Sequence, residues 1–186
     1  MKIYLVTRNN GKIIAAKSVF DKYKVELMGV EKDYAEIQAA TSLEIAKYTA
    51  LEAAGELKTA AIREDHSLFI HALNLPGPYM AYIEKVLSPE KVIEICSKFG
   101  DNTGHFEVAS VIAFPDGTSF EHVFQVPITF SNKIMNGENK SWNGIIRLND
   151  EKRTISEYPE EERLTIWSQG YQKIAEFLVE KYNLLT

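Results

Sequence analysis

Residues 3 to 14 read IYLVTRNNGKII, and this stretch decides how the chain begins to fold. An Asn-Gly pair between apolar runs is a common signal for a β-hairpin turn, whereas a strand, a short polar loop and a helix together form a phosphate cradle. Ile13, Ala16 and Phe20 recur at helical spacing after the loop. The pattern therefore favours a strand over residues 2 to 7, then a loop and a helix, over a hairpin.

The composition is that of an ordinary globular protein. With 186 residues, of which 45% are hydrophobic, the chain is expected to form one domain. No apolar run approaches the roughly 20 residues of a membrane span, and the sequence turns polar at Thr7, too early for a signal peptide. A formal charge of −5 with scattered basic residues argues against a nucleic-acid partner. We expect a cytoplasmic protein that binds neither membranes nor nucleic acids.

Helix and strand signals continue along the first half of the chain. Thr41 and Glu44 form a predicted capping box that opens a second helix. Residues 59 to 62, TAAI, form a predicted short buried strand that ends directly before the polar run at 63 to 66. Ser88-Pro89 is a predicted helix start, because proline suits the first helical position.

The second half contains a predicted hairpin and a long helix. The stretches HFEVASVIAF (105 to 114) and SFEHVFQV (119 to 126) alternate as strands and are joined by Pro-Asp-Gly at 115 to 117. Residues 131 to 153 show no clear period, and a helix of about five turns follows around Leu164 and Leu178. Strand–helix units combined with a hairpin predict an α/β fold with a mixed central sheet flanked by helices.

Candidate chemistry lies where the predicted strands end, since ligands of α/β sheets gather at the carboxyl ends of strands. The loop from Thr7 to Lys12 offers hydroxyl, amide, backbone N–H and ammonium groups, which suit phosphate oxygens, although an ordinary turn remains an equal alternative. Glu64 and Asp65 offer adjacent carboxylates of the kind that bind Mg²⁺, although a solvated acidic turn is the commoner explanation of such a pair. Glu36 can join them only if the fold brings it back.

Four stretches, in this order, resemble the inosine triphosphate pyrophosphatase family. TRNNGK at 7 to 12 resembles the family loop Thr-Gly-Asn-x-x-Lys, and YAEIQ at 34 to 38 resembles its Pro-Glu-x-Gln segment. REDHSLFIHALNLPGPYMAY at 63 to 82 is similar to a segment containing Glu-Asp, Ala-Leu and Pro-Gly-x-Tyr. RTISEYPEEER at 153 to 163 resembles the stretch before the last helix. The chain is identified as a divergent member over nearly its whole length.

The resemblance implies a fold, an activity and an assembly. The fold is one domain over residues 1 to 186, with two lobes and an active-site cleft between them. The activity is Mg²⁺-dependent hydrolysis of nonstandard purine nucleoside triphosphates (ITP, XTP and dITP) to monophosphate and pyrophosphate. Family members usually dimerise through the face that contains the Pro-Gly-x-Tyr loop. We therefore expect a homodimer through an apolar patch of Leu75, Tyr79, Met80 and Tyr82.

The resemblance also assigns roles to individual residues. The triphosphate contacts are Thr7, Asn9 and Lys12, with Lys12 the main one. Glu36 and Asp65 are the implied Mg²⁺ ligands, and Asp65, helped by Glu64, is implied to orient or deprotonate the attacking water. Two residues near these groups depart from the family pattern, because Arg8 stands where the family has glycine and His66 where it has serine or threonine.

The base-reading residues depart further. A stacking phenylalanine is replaced by Lys140, while Trp142 and Asn143 are expected to stack on the purine and to hydrogen-bond to it. The family's His-Arg pair corresponds to Ser168 and Gln169, which donate neutral hydrogen bonds but carry no fixed charge. Arg163 keeps a basic residue just upstream. We therefore expect an active pyrophosphatase with altered or relaxed base specificity.

Two other functions stay open at this point. A weak or inactive relative would bind nucleotides as a regulatory dimer, and a phosphatase would release inorganic phosphate in place of pyrophosphate. The remaining conspicuous residues have structural interpretations. Cys96 lies on an apolar helix stripe and is expected to be a buried thiol. His71, His105 and His122 are spaced too widely for a local metal motif.

Overall fold

The computed structural model describes residues 1–30, 32–35, 37–149 and 151–183, without the side chain of Glu160. The helices and strands in these ranges are, in chain order, β1 (Lys2–Val6), α1 (Asn10–Phe20), β2 (Glu26–Val30), α2 (Ser42–Leu57), β3 (Ala60–Ile70), β4 (Leu75–Gly77), α3 (Met80–Ile83), α4 (Pro89–Phe99), β5 (Thr103–Ala113), β6 (Ser119–Phe130), β7 (Ile146–Leu148), α5 (Glu160–Trp167) and α6 (Gln169–Tyr182). Two short 3₁₀ turns lie at Trp142–Gly144 and Ile155–Glu157. None of the helices in the described ranges is long and apolar enough to cross a bilayer.

The described strands form a mixed sheet in the order β2-β1-β3-β5-β6-β7, and β4 pairs with β3. β1 runs parallel to β2 and to β3, whereas the β3–β4 and β6–β7 pairs are antiparallel. This arrangement confirms the predicted mixed sheet. The chain divides into two compact units: unit 1 is Met1–Asp65, Val108–Phe124 and Arg163–Thr186, and unit 2 is His66–Glu107 and Gln125–Glu162.

In unit 1 the sheet is buried on both faces, because neighbouring residues on each strand join different cores. Ile3 and Ile62 face α1 and α6, where they pack with Phe20 and Tyr171. Ala61 faces the other way, onto the small residues of α2. Near-continuous apolar strands are typical of sheets covered on both sides. Because side chains alternate along a strand, the opposite faces of Ala61 and Ile62 determine the face to which each later residue of β3 points.

In unit 2 a buried tryptophan anchors the segment before β7. Trp142 is fully buried, and its indole Nε1 donates a 2.8 Å hydrogen bond to the carbonyl oxygen of Leu87. Its backbone N–H donates to the carboxylate of Glu84 at 2.7 Å. An apolar cavity of about 250 Å³ lies in the same unit, between the end of β3, β4 and α3.

Several sequence predictions are confirmed at the level of elements. α2 begins after Thr41 with the predicted capping box to Glu44. α4 begins at Pro89 after Ser88, and β5 and β6 form the predicted hairpin strands. Cys96 is buried, and burial raises the pKa of its thiol, as expected of a core cysteine.

Other predictions are wrong in extent. β2 had no predicted counterpart, and the predicted final helix is divided at Ser168 into α5 and α6. β3 does not end at residue 62 but continues to Ile70, so Glu64 and Asp65 lie inside the strand. A run of charged residues normally argues for a strand end. Here the strand continues because the buried carboxylate of Glu64 has polar partners on neighbouring elements.

Candidate active site

The loop between β1 and α1 is organised by two of its own side chains. Asn9 caps α1, since its side-chain oxygen accepts hydrogen bonds from the backbone N–H groups of Gly11 at 2.9 Å and Lys12 at 3.3 Å. Thr7 is buried, and its hydroxyl oxygen accepts from the N–H of Asn9 at 3.1 Å. The Asn-Gly pair therefore lies at a helix start and not in a hairpin turn. The side-chain oxygens shape the loop, so contacts from these two residues to an anion must come from the Thr7 hydroxyl hydrogen and the Asn9 amide nitrogen.

Lys12 reaches from the first turn of α1 to β3. Its ammonium Nζ donates to the backbone carbonyl oxygen of Glu64 at 2.9 Å and lies 3.8 Å from the Oε1 atom of the Glu64 carboxylate. The Glu64 side chain is 1% exposed, whereas that of Lys12 is 19% exposed. The cation is therefore held beside a buried carboxylate at the start of α1, where the helix dipole also favours anions.

Further polar groups surround the Glu64 carboxylate. The fully buried Ser110 on β5 donates its hydroxyl to Glu64 Oε2 at 3.3 Å. Tyr171 on α6 is also fully buried, and burial together with the charge of Glu64 raises the pKa of its phenol well above the usual value. A Cβ on Gly170 would collide with the Ser110 hydroxyl, so this glycine permits α6 to approach β5 closely.

The structure places the adjacent carboxylates of Glu64 and Asp65 on opposite faces of one strand. Glu64 and Asp65 are consecutive residues within β3, and successive side chains of a strand point to opposite faces. Glu64 belongs to the face of Ile62, whereas Asp65 belongs to the face of Ala61 and is half-buried. His66 follows on the same strand and is also half-buried. The expectation that the acidic pair lies at the end of this strand is therefore wrong.

The predicted metal ligands are only partly described. Glu36 lies outside the described residues, so the structure gives no position for it. Within the described ranges, no group of three or more histidine, cysteine, aspartate or glutamate side chains is arranged to hold a metal ion. A cation at Asp65 or Glu64 would therefore depend on oxygen atoms from outside the described protein groups, such as those of a phosphate.

Arg8 lies on the surface beside the first loop. Its guanidinium pairs with Asp33 at 2.7 Å, and the two side chains are 60% and 81% exposed. Exposed pairs of this kind contribute little to stability. The Arg8 guanidinium is therefore directed toward the Asp33 carboxylate, which partly offsets its positive charge.

Trp142 and Asn143, predicted to contact the purine, differ in their accessibility. Trp142 is fully buried with its indole N–H satisfied by Leu87, so its ring presents no face to a ligand in this structure. The expectation that Trp142 stacks on the purine is therefore corrected, because stacking requires an accessible ring. Asn143 is exposed, and its backbone N–H donates a hydrogen bond to the hydroxyl of Ser141 at 3.3 Å. Lys140 is exposed.

The remaining predicted base contacts lie around the junction of α5 and α6. Gln169 is exposed and donates its side-chain N–H to the carbonyl oxygen of Ile166 at 3.1 Å. Ser168 is half-buried at the break between the helices. Arg163 is half-buried on α5, and its Nε atom is enclosed without a hydrogen-bond partner in the described part of the chain.

Four side chains of interest were not predicted from the sequence to share a site. Ser110 and Tyr171 resemble ordinary core residues of a strand and a helix, and only their approach to Glu64 distinguishes them. His71 and His105 seemed too far apart in sequence for a shared role, yet the fold brings their rings together. No local signal marks such contacts, because they depend on how β3, β5 and α6 pack.

Comparisons with known proteins agree with this fold. A sequence model of the Ham1 family matches residues 3–176. A dITP/XTP pyrophosphatase of Methanopyrus kandleri is 35% identical over 137 residues, which are 72% of this chain and 68% of the relative. A protein of the same name from Saccharolobus solfataricus is 28% identical over 182 residues, which are 96% of this chain and 94% of the relative.

A solved structure shows the same architecture. The HAM1 protein from Coxiella burnetii superposes on this chain with a TM-score of 0.81 at 18% sequence identity. The superposition covers 97% of this chain and 99% of that protein. At this low identity the likeness concerns the fold.

Proposed function

This chain belongs to the Ham1 family, and on that premise we propose that it hydrolyses nonstandard purine nucleoside triphosphates to the monophosphate and pyrophosphate. The relatives from Methanopyrus kandleri and Saccharolobus solfataricus, both named dITP/XTP pyrophosphatase, support this substrate class. The structural observation that carries the proposal is the Lys12 ammonium, held beside the buried Glu64 carboxylate at the start of α1.

The first loop binds the triphosphate. Lys12 is partly exposed and supplies a positive charge at a helix N-terminus, where backbone N–H groups also face an incoming anion. The Thr7 hydroxyl and the Asn9 amide add neutral donors from a loop that is already shaped by its own hydrogen bonds. Little reorganisation is then required when phosphate binds, which favours tight positioning.

Mg²⁺ fits the oxygen donors of this region. Mg²⁺ is commonly held by one or two carboxylates and completes its shell with water and substrate phosphate, so a full protein cage is not needed. Asp65, with Glu36 from outside the described residues, would hold the ion. When bound, Mg²⁺ would neutralise charge that develops on the phosphate oxygens.

The carboxylates also prepare the attacking water. Asp65 orients the water and accepts its proton as the new oxygen–phosphorus bond forms, while the bond to the bridging oxygen breaks and pyrophosphate leaves with that oxygen. Glu64 supports this step from the opposite face of β3 by fixing Lys12. Positioning and electrostatic stabilisation supply most of the rate in such transfers.

The base-reading half of the site is altered relative to the family pattern. Exposed Asn143 and Gln169, with half-buried Ser168, offer neutral hydrogen bonds to a purine. Neutral donors discriminate less sharply than a fixed positive charge when a carbonyl oxygen is read. Exposed Lys140 lies shortly before Asn143 in sequence, and half-buried Arg163 lies shortly before Ser168. We therefore expect broad acceptance of purine bases.

An apolar surface in unit 2 supports a homodimer. Leu75, Tyr79 and Tyr82 are 57%, 40% and 66% exposed, and Met80 is half-buried among them. Exposed apolar side chains that adjoin one another are typical of interaction surfaces. A cytoplasmic location stays a prediction from the sequence.

A substrate panel tests the proposed activity. With Mg²⁺ present, we expect pyrophosphate release from dITP, XTP and ITP to exceed release from GTP and from pyrimidine triphosphates. Asp65→Asn is expected to lose most of the activity, whereas Glu180→Gln, which removes an exposed carboxylate on α6, is expected to keep it.

The same panel distinguishes the other candidates. Nucleotide binding without turnover in both the natural protein and Asp65→Asn would favour the regulatory binder. Release of inorganic phosphate with a diphosphate product would favour a phosphatase. Removal of Mg²⁺ by chelation is expected to stop turnover, and full activity in its absence would contradict the proposed metal requirement.

A further inference from the structure

Two histidines far apart in sequence meet in unit 2. His71 directly follows β3, and His105 lies on β5. The Nε2 atom of His71 is 2.9 Å from the Nδ1 atom of His105, and the ring centroids are 5.2 Å apart with the planes tilted by 49°. His71 is exposed and His105 is half-buried, so a small ion from solvent can reach the pair.

A chain of hydrogen bonds holds His71 in one orientation. Its Nδ1 atom is 2.8 Å from the hydroxyl oxygen of Thr103, and that hydroxyl donates to Asp101 Oδ1 at 2.6 Å. The Thr103 hydroxyl has a single proton, and the carboxylate takes it, so the hydroxyl must accept from the Nδ1–H of His71. This fixes the tautomer of His71 and directs the lone pair of Nε2 toward His105.

Such an arrangement is typical of metal-ligating histidines. They usually donate the ring N–H that faces away from the metal to a carboxylate or another acceptor, which orients the ring and raises its basicity. Here Asp101 acts on His71 through the Thr103 hydroxyl, and Asp101 is itself held by the backbone N–H of Thr103 at 2.8 Å. The second imidazole, His105, is fixed by stacking on Phe69, with ring centroids 4.9 Å apart.

The spacing of the two rings suits a tetrahedral ion. With Zn–N bonds of about 2.05 Å, two nitrogens on one tetrahedral Zn²⁺ lie about 3.3 Å apart and the ring centroids about 5.2 Å apart. The centroids already have this separation, at 5.2 Å. With the centroids kept in place, each ring would pivot by about 35° to widen the nitrogen separation by about 0.4 Å from its present 2.9 Å. The proton on His105 Nδ1 would move to Nε2, so the neutral pair loses no net proton.

We propose that His71 and His105 form a bidentate site for a divalent transition-metal ion of borderline softness, such as Zn²⁺. Imidazole nitrogen favours Zn²⁺, Cu²⁺ and Ni²⁺ over Mg²⁺, which prefers oxygen ligands. Water completes the shell, and Glu107, on the same face of β5 as His105, adds negative charge. The site uses none of the residues assigned above to the triphosphate or to the attacking water.

Calorimetric titration of tag-free protein with ZnCl₂, in a non-chelating buffer that contains excess Mg²⁺, tests the proposal. We expect one Zn²⁺ per chain and at least tenfold weaker binding in both His71→Ala and His105→Ala. Thr103→Val keeps both imidazoles but removes the hydroxyl that orients His71. We expect it to weaken binding by about tenfold, the lower end of the effect of losing such a partner. The matched control is His122→Ala, which removes a half-buried histidine of unit 1 and should leave the affinity unchanged.

A spectroscopic measurement on the natural protein makes the test independent of variant folding. In nitrogen-detected histidine spectra, Zn²⁺ should shift Nε2 of His71 and Nδ1 of His105 and leave the ring nitrogens of His122 unchanged. Equal Zn²⁺ affinity in His71→Ala and the natural protein, or absence of these shifts at saturating Zn²⁺, would overturn the proposal. Both results stand whether or not the protein hydrolyses nucleotides.

Discussion

Replacing Lys12 with methionine tests the link between the phosphate loop and the core. The ammonium lies 3.8 Å from a carboxylate that is 1% exposed. At this separation two unit charges attract by about 4 kcal/mol when the effective dielectric constant is about 20. Removing one partner of a buried pair costs about 3 to 5 kcal/mol, because the other charge is left uncompensated. Since Lys12 is 19% exposed, we expect Lys12→Met to lose about 3 kcal/mol of unfolding free energy.

A second substitution separates stability from function. In the double variant Lys12→Met with Glu64→Gln the buried charge is also removed, so most of the lost stability should return. Activity should not return, because the phosphate contact is still missing. The loss of a charge-assisted hydrogen bond worth about 1.5 to 3 kcal/mol corresponds to a decrease of about 10- to 150-fold in kcat/KM.

Urea unfolding and steady-state kinetics measure the two effects. Lys17→Met is the matched control, since Lys17 is an exposed lysine on the same helix, and it should change the unfolding free energy by less than about 0.5 kcal/mol. If Lys12→Met unfolds at the same urea concentration as the natural protein, or if Glu64→Gln fails to stabilise it, the proposed pairing is refuted.

Three further predictions concern other parts of the site and core. Gly170→Ala should destabilise the protein by about 1 to 3 kcal/mol in urea unfolding, because its methyl group would collide with the Ser110 hydroxyl that donates to Glu64; unchanged stability would contradict the close approach of α6. Asp65→Asn should lower kcat at least about 100-fold in steady-state assays while the unfolding midpoint stays near that of the natural protein; a stable variant with full turnover would exclude Asp65 as the base. Cys96 should react with a thiol reagent far more slowly in the native protein than in urea, because it is buried and its thiol pKa is raised; equal rates would contradict that burial.

The sequence predicted local features more reliably than long-range ones. The capping box at Thr41 was predictable because its partner, Glu44, lies within three residues. The length of β3 was not predictable, because the continuation of the strand through Glu64 depends on partners from α1 and β5. Within β3, Glu64 is buried and Asp65 is half-buried because successive side chains of a strand point to opposite faces.

The candidate site shows the same difference between local features, which were predictable, and long-range contacts, which were not. The family motif identified Lys12 and Glu64, and the structure brings these two residues together, but it separates Asp65 from Glu64 by placing them on opposite faces of β3. Trp142 was expected to stack on a base because it corresponds to an aromatic residue of the family segment that contacts the purine. The structure instead buries it, since the 3₁₀ turn at Trp142–Gly144 directs the indole to the carbonyl of Leu87. A contact between residues as far apart in the chain as Trp142 and Leu87 cannot be predicted from the sequence around either of them.

The proposed reaction cleaves the bond between the α- and β-phosphates of a nonstandard purine nucleotide. Phosphorus NMR of dITP incubated with the protein and Mg²⁺ tests it most directly, because each product has its own resonance. Deoxyinosine monophosphate and pyrophosphate are expected to appear in equal amounts as dITP disappears. Accumulation of a diphosphate with inorganic phosphate, or an unchanged dITP spectrum, would contradict it.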